Sequence, residues 1–198
     1  MGRLAQTLGV ESTMTTPFQR RMLYIPVLQV DANLINARQK LPEVNQLEKW
    51  YESEVLLINM SSTARDEALA DGNPARTRKA NEQIFTMTPA ARTNDSNFIK
   101  VERALFPNGA VTENERNDVR VVCEAAKYAA ILVTADGASK TQPGGILGNR
   151  NRLKGFVEIM SPAEAVGYVR VKIFERDEFN RQVALIQSVD VPSYTGKD

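Results

Sequence analysis

The sequence contains no histidine, although it is 198 residues long. This absence excludes a Ser–His–Asp triad, a Cys–His nucleophile, a histidine general base and a zinc site built from histidine and cysteine. If the protein is an enzyme, its reactive groups are therefore carboxylates that hold a hard metal ion, or lysine, tyrosine and arginine side chains.

Cysteine and long apolar stretches are also scarce. The single cysteine, Cys123, excludes an internal disulfide, fits a small buried side chain and is typical of a reducing cytoplasm, which is the location that we expect. No stretch approaches the length of a membrane span, and the N-terminus lacks the apolar core of a signal peptide, so no membrane partner is expected. The formal net charge is only +1, so any basic surface depends on local clustering.

The composition is that of a globular protein with a core, because 42% of the residues are hydrophobic and 25% are charged. A chain of this length fits one ordinary domain with extensions. We predict a flexible polar tail over residues 1–21, a central domain over residues 22–171 and a C-terminal extension over residues 172–198.

The most informative stretch is an apolar run from Leu23 to Val30 that ends in a carboxylate, Asp31. The run is short, β-branched and nearly continuous, which is typical of a strand buried on both faces, although Pro26 provides no N–H to a ladder. Strands of this kind belong to open parallel sheets, in which ligands bind at the carboxyl ends of the strands. Asp31 and Asn33 are therefore candidate site residues.

Apolar runs alternate with helical segments along most of the chain. Strands are predicted near residues 23–30, 55–60, 130–134 and 156–160. Helices are predicted over Val44–Tyr51, after Ser61–Thr63, over Phe98–Phe106, after the capping-box pattern of Thr112 and Glu115, and after Ser161–Pro162. The alternation predicts one parallel sheet with helices on both faces.

Four acidic side chains follow or flank these strands. Asp31 follows the first strand, Glu67 lies on the helix after the second, Asp118 lies early in the helix before the third, and Asp136 follows the third. In a parallel sheet all four can meet at one edge. Clustered carboxylates repel one another, so one pKa would rise sharply unless a cation compensates the charge. Mg²⁺ or Mn²⁺ is the natural cation, and such a site activates water for a displacement at phosphorus.

Each acid also has a purely structural interpretation. Asp31 fits a turn after a strand, Glu67 fits a solvated helix position, and Asp118 favours the positive end of its helix. Asp136 forms a common turn dipeptide with Gly137. Taken singly, these interpretations are the more common ones, so the prediction depends on the combination of the four acids.

The chain resembles the PIN domain nucleases, a family that includes the toxin ribonucleases of bacterial toxin–antitoxin pairs. Four segments carry the resemblance, in the order of the family: Asp31 with Asn33, SSTARDE at Ser61–Glu67, Asp118 followed by VTAD at Val133–Asp136, and VEIMSPAEA at Val157–Ala165. The N-terminal tail, the Lys140–Lys154 loop and the residues past Val166 depart from the small toxin members of the family.

The resemblance implies an α/β/α sandwich with a central parallel sheet and a metal-dependent ribonuclease site. The implied site consists of Asp31, Glu67, Asp118 and Asp136, which would hold Mg²⁺ or Mn²⁺, and of Asn33 and Thr134, which would help to position metal or substrate. Asp66 competes with Glu67, but the serine spacing favours Glu67. RNA is the expected partner, and a protein antitoxin or regulator and a homodimer are further candidates.

A glycine-rich basic loop follows the fourth acid. Lys140, Arg150, Arg152 and Lys154 are candidates to hold substrate phosphates, because they follow the site directly. Solvated surface charge is the simpler interpretation for most of the basic residues between the second and third acids, which are Arg76, Arg78, Lys79, Arg92, Lys100 and Arg103. The glycines of the loop do not form a P-loop, since no Gly-Lys-Ser/Thr follows them.

The leading hypothesis is a Mg²⁺- or Mn²⁺-dependent endoribonuclease that hydrolyses single-stranded RNA. The alternative is a catalytically idle PIN-like module that binds RNA or a protein. The presence of an acid at each of the four positions favours the enzyme, since a degenerate module would be expected to have lost at least one. A nuclease that acts on structured DNA shares the fold, but it usually needs clamp elements that the sequence does not indicate.

Overall fold

The computed structural model describes residues 20–35, 40–70, 72–83, 95–137 and 143–198. Its central strands are β1 (Leu28–Val30), β2 (Ile58–Met60), β3 (Ile131–Val133) and β4 (Glu158–Met160). They form a four-stranded sheet in the order β2-β1-β3-β4, and every neighbouring pair is parallel. The predicted parallel arrangement of the four strands is confirmed.

Each strand is three residues long, which is shorter than predicted. The segment from Leu23 to Val27 precedes β1, although the backbone N–H of Leu23 donates to the carbonyl of Val55 at 2.8 Å and the carbonyl of Val27 accepts from the N–H of Ile131 at 3.0 Å. Pro26 lies within this segment and has no N–H, so it interrupts strand pairing and explains the late start of β1.

The described residues form seven α-helices and two short 3₁₀ helices. The α-helices are α1 (Pro42–Glu52), α2 (Ser62–Ala70), α3 (Pro74–Gln83), α4 (Ser96–Leu105), α5 (Glu113–Lys127), α6 (Gly145–Asn149) and α7 (Pro162–Gln187). The 3₁₀ helices span Ala32–Leu34 and Arg150–Leu153. Among the described helices, none has the length and apolar character that a membrane crossing requires.

The helices lie in two layers, one on each face of the sheet. In one layer α1 packs against α7, and in the other α5 packs against α2 and α4. Gln29 of β1 donates from Nε2 to the carbonyl of Val121 in α5 at 3.0 Å, so α5 covers the face to which Gln29 points. The architecture is therefore the three-layer α/β/α sandwich with a parallel sheet that the sequence predicted.

The predicted helix starts are present. Thr112 caps α5 in a reciprocal capping box with Glu115, and Ser161 caps α7 in the same way with Glu164. Because α5 begins at Glu113, its second turn carries Asp118, and the helix axis then leads into β3.

Several expectations for loops and ends differ from the structure or fall outside it. The loop after β3 contains α6 and a 3₁₀ helix, and α7 continues without a break through residues 171 and 172 to Gln187. Apolar side chains on both the buried and the exposed faces of α7 obscure its helical period in the sequence. Residues 36–39 lie outside the described residues, as do residues 1–19 of the predicted tail.

Candidate active site

The four acids that the sequence singled out line one cleft at the carboxyl ends of the strands. Asp31 follows β1, Asp136 follows β3, Glu67 comes from α2 and Asp118 comes from α5. The cleft has a volume of about 780 Å³ and is open to solvent. The parallel topology brings these side chains together, because the strands deliver their carboxyl ends to the same edge.

Asp31 is the most tightly held of the four acids. Its Oδ2 accepts hydrogen bonds from Thr134 Oγ1 at 2.7 Å and from Asn33 Nδ2 at 2.8 Å, and its Oδ1 accepts from the N–H of Ala32 at 2.7 Å. Burial raises the pKa of Asp31, and the hydrogen bonds from Thr134 and Ala32 oppose this rise. Asn33 and Thr134, which the sequence proposed as positioning residues, therefore contact the first acid directly.

Glu67 is half-buried and is held from the neighbouring helix. Asn117 of α5 donates from Nδ2 to Glu67 Oε1 at 3.0 Å, and Arg120 in turn donates to Asn117 Oδ1 at 2.6 Å. Burial raises the pKa of Glu67, the Asn117 hydrogen bond lowers it, and repulsion from Asp31 raises it further. The competing acid Asp66 also lines the cleft but is exposed.

Asp118 is partly buried and is repelled by the other three acids of the cleft. Burial is the first cause that raises its pKa to about 8, and repulsion from Asp136, Asp31 and Glu67 follows in that order. The four carboxylates therefore behave as one coupled cluster, in which Asp118 holds a proton at neutral pH unless a cation offsets the charge.

Asp136 is positioned by a segment that the sequence treated only as a basic loop. Its Oδ2 accepts from the N–H of Ile146 at 2.7 Å, and its backbone carbonyl accepts from the N–H of Leu147 at 3.0 Å. Gly145 precedes these residues with φ at +56°, and a Cβ placed there would lie 2.7 Å from both the carbonyl oxygen and Oδ2 of Asp136. Only glycine fits this close approach.

We expect Gly145→Ala to destabilise the protein by about 2 kcal/mol, because the new Cβ meets Asp136 and the backbone conformation is strained for an L-residue. Urea unfolding monitored by circular dichroism measures this change. Gly148→Ala in the same helix is the matched control, since nothing lies within 4 Å of its Cβ position. Equal stability of the two variants would contradict the close approach at Gly145.

Two further residues of the site environment were not identified from the sequence. Arg76 of α3 lines the cleft and donates from Nη2 to the carbonyl of Ala32 at 2.8 Å, whereas the sequence interpretation placed it on the solvated surface. Of the described residues that line the cleft, it is the only lysine or arginine. Its charge lowers the pKa of Asp31 and Glu67, after the larger effect of burial in each case.

Glu124 is the second of these residues. It is 1% exposed on α5, and its Oε1 accepts from Thr63 Oγ1 of α2 at 2.8 Å, so it joins the helices that carry Glu67 and Asp118. Burial raises the pKa of Glu124. An acid inside the apolar stripe of α5 is the sequence signal that could have identified it.

The basic residues after the fourth acid do not line the cleft where the structure describes them. Arg150 pairs with Glu164 at 2.6 Å, and Arg152 donates to the carbonyl of Ala104 at 3.1 Å. Arg150 and Lys154 line a separate cavity of about 280 Å³ beside β4, and Lys140 lies outside the described residues. A role for these four residues in phosphate binding stays a prediction.

The donor atoms of the cleft are of the chemical type that a hard divalent cation prefers. Their atoms are carboxylate oxygens, which Mg²⁺ and Mn²⁺ prefer, and a cation would relieve the repulsion that raises the pKa of Asp118. Within the described ranges, however, no three Cys, Asp or Glu side chains are grouped so that they could hold a metal ion as they stand. Mg²⁺ is commonly bound through one or two carboxylates together with waters, so the donors fit that mode of binding.

The comparisons with known proteins find solved structures of similar fold. No protein-family model and no curated protein matches the chain. The fold is similar to a chain in the crystal structure of VapBC2 from Rickettsia felis bound to a DNA fragment from their promoter, with a TM-score of 0.42 and 10% sequence identity. The match covers 68% of this chain and 98% of that chain. A similarity this distant does not assign the chain to a family.

Proposed function

We propose that the chain is a Mg²⁺- or Mn²⁺-dependent endoribonuclease that hydrolyses phosphodiester bonds of single-stranded RNA at the acidic cleft. The observation that carries this proposal is the convergence of four acids, from four separate elements, on one open cleft. An uncompensated cluster of this kind is costly, so its presence favours a function that uses the charge.

Asp31, Glu67, Asp118 and Asp136 would hold the cation. A bound Mg²⁺ or Mn²⁺ supplies an activated water and stabilises charge on the scissile phosphate. No histidine is present to act as a general base, so the handling of protons falls to these carboxylates.

The other residues of the cleft orient the acids and offset charge. Asn33 and Thr134 fix the carboxylate of Asp31, and Asn117 fixes that of Glu67. Arg76 places a guanidinium on the wall of the cleft, where its positive charge favours a phosphate. The backbone of Ile146 holds Asp136. The arrangement is therefore preorganised, which is what electrostatic catalysis requires.

The choice of RNA over DNA is supported by the resemblance of the sequence motifs to those of PIN domain nucleases. The same resemblance supports a cytoplasmic location and an antitoxin or regulator protein as a partner.

The first experiment incubates the protein with a diverse pool of single-stranded RNA and with structured DNA. Cleavage of RNA is expected in Mg²⁺ or Mn²⁺, and EDTA is expected to stop it. Glu67→Gln should abolish cleavage, whereas Asp66→Asn, at the exposed neighbouring acid, should retain most of it. Preferential cutting of the DNA would favour the structured-DNA nuclease instead.

An idle binding module is the second candidate function. It is favoured by the absence, among the described residues, of three acidic side chains grouped to hold one ion. If the protein binds RNA but cuts none of the pool with either metal, the binding module is the better explanation and the enzyme hypothesis is wrong.

A further inference from the structure

One face of α7 exposes large apolar side chains to solvent. Val171 is 54% exposed, Phe174 is 64% exposed and Leu185 is 82% exposed. Exposed apolar residues are common when they are scattered, but these lie on one side of a single helix over four turns. Large apolar side chains aligned on one side of a surface helix indicate an interaction site.

The other sides of α7 are covered by the protein itself. α1 packs against α7, Arg176 donates from Nη1 to the carbonyl of Arg21 at 2.6 Å, and Asn180 donates from Nδ2 to Thr195 Oγ1 at 3.2 Å. The helix is therefore held rigidly by the fold. Its exposed face is presented in a fixed conformation, so binding through that face would not have to order the helix.

The residues at the centre of the exposed face follow the spacing of a helical seam. They are Val171, Phe174, Glu178, Arg181 and Leu185, which lie three, four, three and four residues apart. This spacing is that of the a and d positions of a heptad, by which two helices pack side by side. We name these five residues the α7 seam.

The α7 seam is complementary to itself when two copies run antiparallel. If a two-fold axis passes through the peptide bond after Phe179, Phe174 lies opposite Leu185 of the second copy, and Glu178 lies opposite Arg181. Apolar side chains then meet towards both ends, and opposite charges meet at the centre. A parallel pairing would instead place each charged residue opposite its own copy, where like charges repel.

We propose that the α7 seam binds a second copy of the chain through an antiparallel α7–α7 contact. This inference goes beyond the nuclease proposal and does not depend on it. A polar layer inside an apolar seam is a known device for fixing register and partner, and Glu178 with Arg181 has that role here. The seam is only about 22 Å long at 1.5 Å per residue, so the contact is small and we expect weak association.

Charge exchange tests this arrangement directly. Glu178→Arg and Arg181→Glu each replace two attractive contacts across the axis by two repulsive ones. The dissociation constant for self-association of each variant alone should therefore rise by about tenfold or more. An equimolar mixture of the two variants should recover the affinity of the original protein, because the cationic seam then faces the anionic one. Sedimentation velocity over a concentration series measures all three.

The mixture separates the contact between copies from an effect within one helix. Glu178 and Arg181 also bond to each other in the same helix, and each substitution removes that bond, but mixing cannot restore it. Glu82→Arg on α3 is the matched control, since it breaks an exposed pair with Arg78 on a helix other than α7 and should leave association unchanged. Circular dichroism confirms that the variants are folded.

Three results would overturn the proposal. A monomer at every concentration would exclude a contact between two copies through the α7 seam. A dimer that is unaffected by both substitutions would place the interface elsewhere on the chain. Weakened variants that do not recover on mixing would exclude the antiparallel pairing centred after Phe179.

Discussion

Asp118→Asn is expected to reduce metal-dependent RNA cleavage by about 10³-fold, which is the scale on which preorganised charged groups act in catalysis. Asp118 is partly buried and is repelled by all three of the other acids, and these two effects, burial first, raise its pKa to about 8. Asparagine has nearly the same shape but cannot take a negative charge. The variant should therefore keep the fold and lose the charge that a cation requires.

The measurement is single-turnover cleavage of a fluorescent RNA, with RNA affinity measured separately in EDTA. Affinity should change little, because the substitution affects the chemical step and not the basic residues. Glu52→Gln, at an exposed acid on α1 in the opposite layer from α5, is the matched control and should cut at the original rate. If Asp118→Asn cleaves RNA at the original rate, the acidic cluster does not take part in the cleavage reaction.

The elements that could be predicted from the sequence obey rules that act over a few residues. An apolar, β-branched run of strand length must be buried, and the residues around Val133 satisfy that rule without knowledge of the rest of the chain. The Thr112 and Glu115 capping box fixes the start of α5 by contacts within one turn. Given a parallel sheet, the approach of Asp31 and Asp136 follows from topology alone.

The residues that hold the acids could not be predicted, because their contacts connect distant parts of the chain. Gly145 is needed only because the backbone of α6 returns to within contact of Asp136. Arg76 reaches Ala32 across 44 positions, and in the sequence it is one of several similar basic residues. The length of α7 was missed for another reason, since a helix with apolar residues on two faces has no single clear period.

The free energy of unfolding in EDTA is expected to fall as the pH rises from 5 towards 8. The pKa of Asp118 is raised from 3.8 to about 8 in the folded protein, so the folded state binds a proton that the unfolded state has released. Stability is then fully present below the unfolded pKa and is lost as the pH rises through the folded value. One such proton gives a slope of about 1.4 kcal/mol per pH unit.

Because the sequence has no histidine, changes of stability between pH 5 and 8 are easier to assign to carboxylates. No imidazole titrates between pH 5 and 8, and carboxylates with a lowered pKa, such as Glu164 at about 2, act at lower pH and with the opposite sign. Asp31, Glu67 and Glu124, whose pKa values are also raised mainly by burial, add to the fall. The loss of stability can therefore be assigned largely to buried carboxylates.

Urea titrations at a series of pH values, in EDTA and in Mn²⁺, measure the effect. Mn²⁺ should restore stability most strongly near pH 8, because a cation replaces the protons of the cluster. Asp118→Asn should flatten the dependence in EDTA and weaken the response to Mn²⁺, whereas Glu52→Gln should leave both unchanged. A stability that is independent of pH over this window, or a response to Mn²⁺ that survives in Asp118→Asn, would mean that the four carboxylates are not coupled in one cation site.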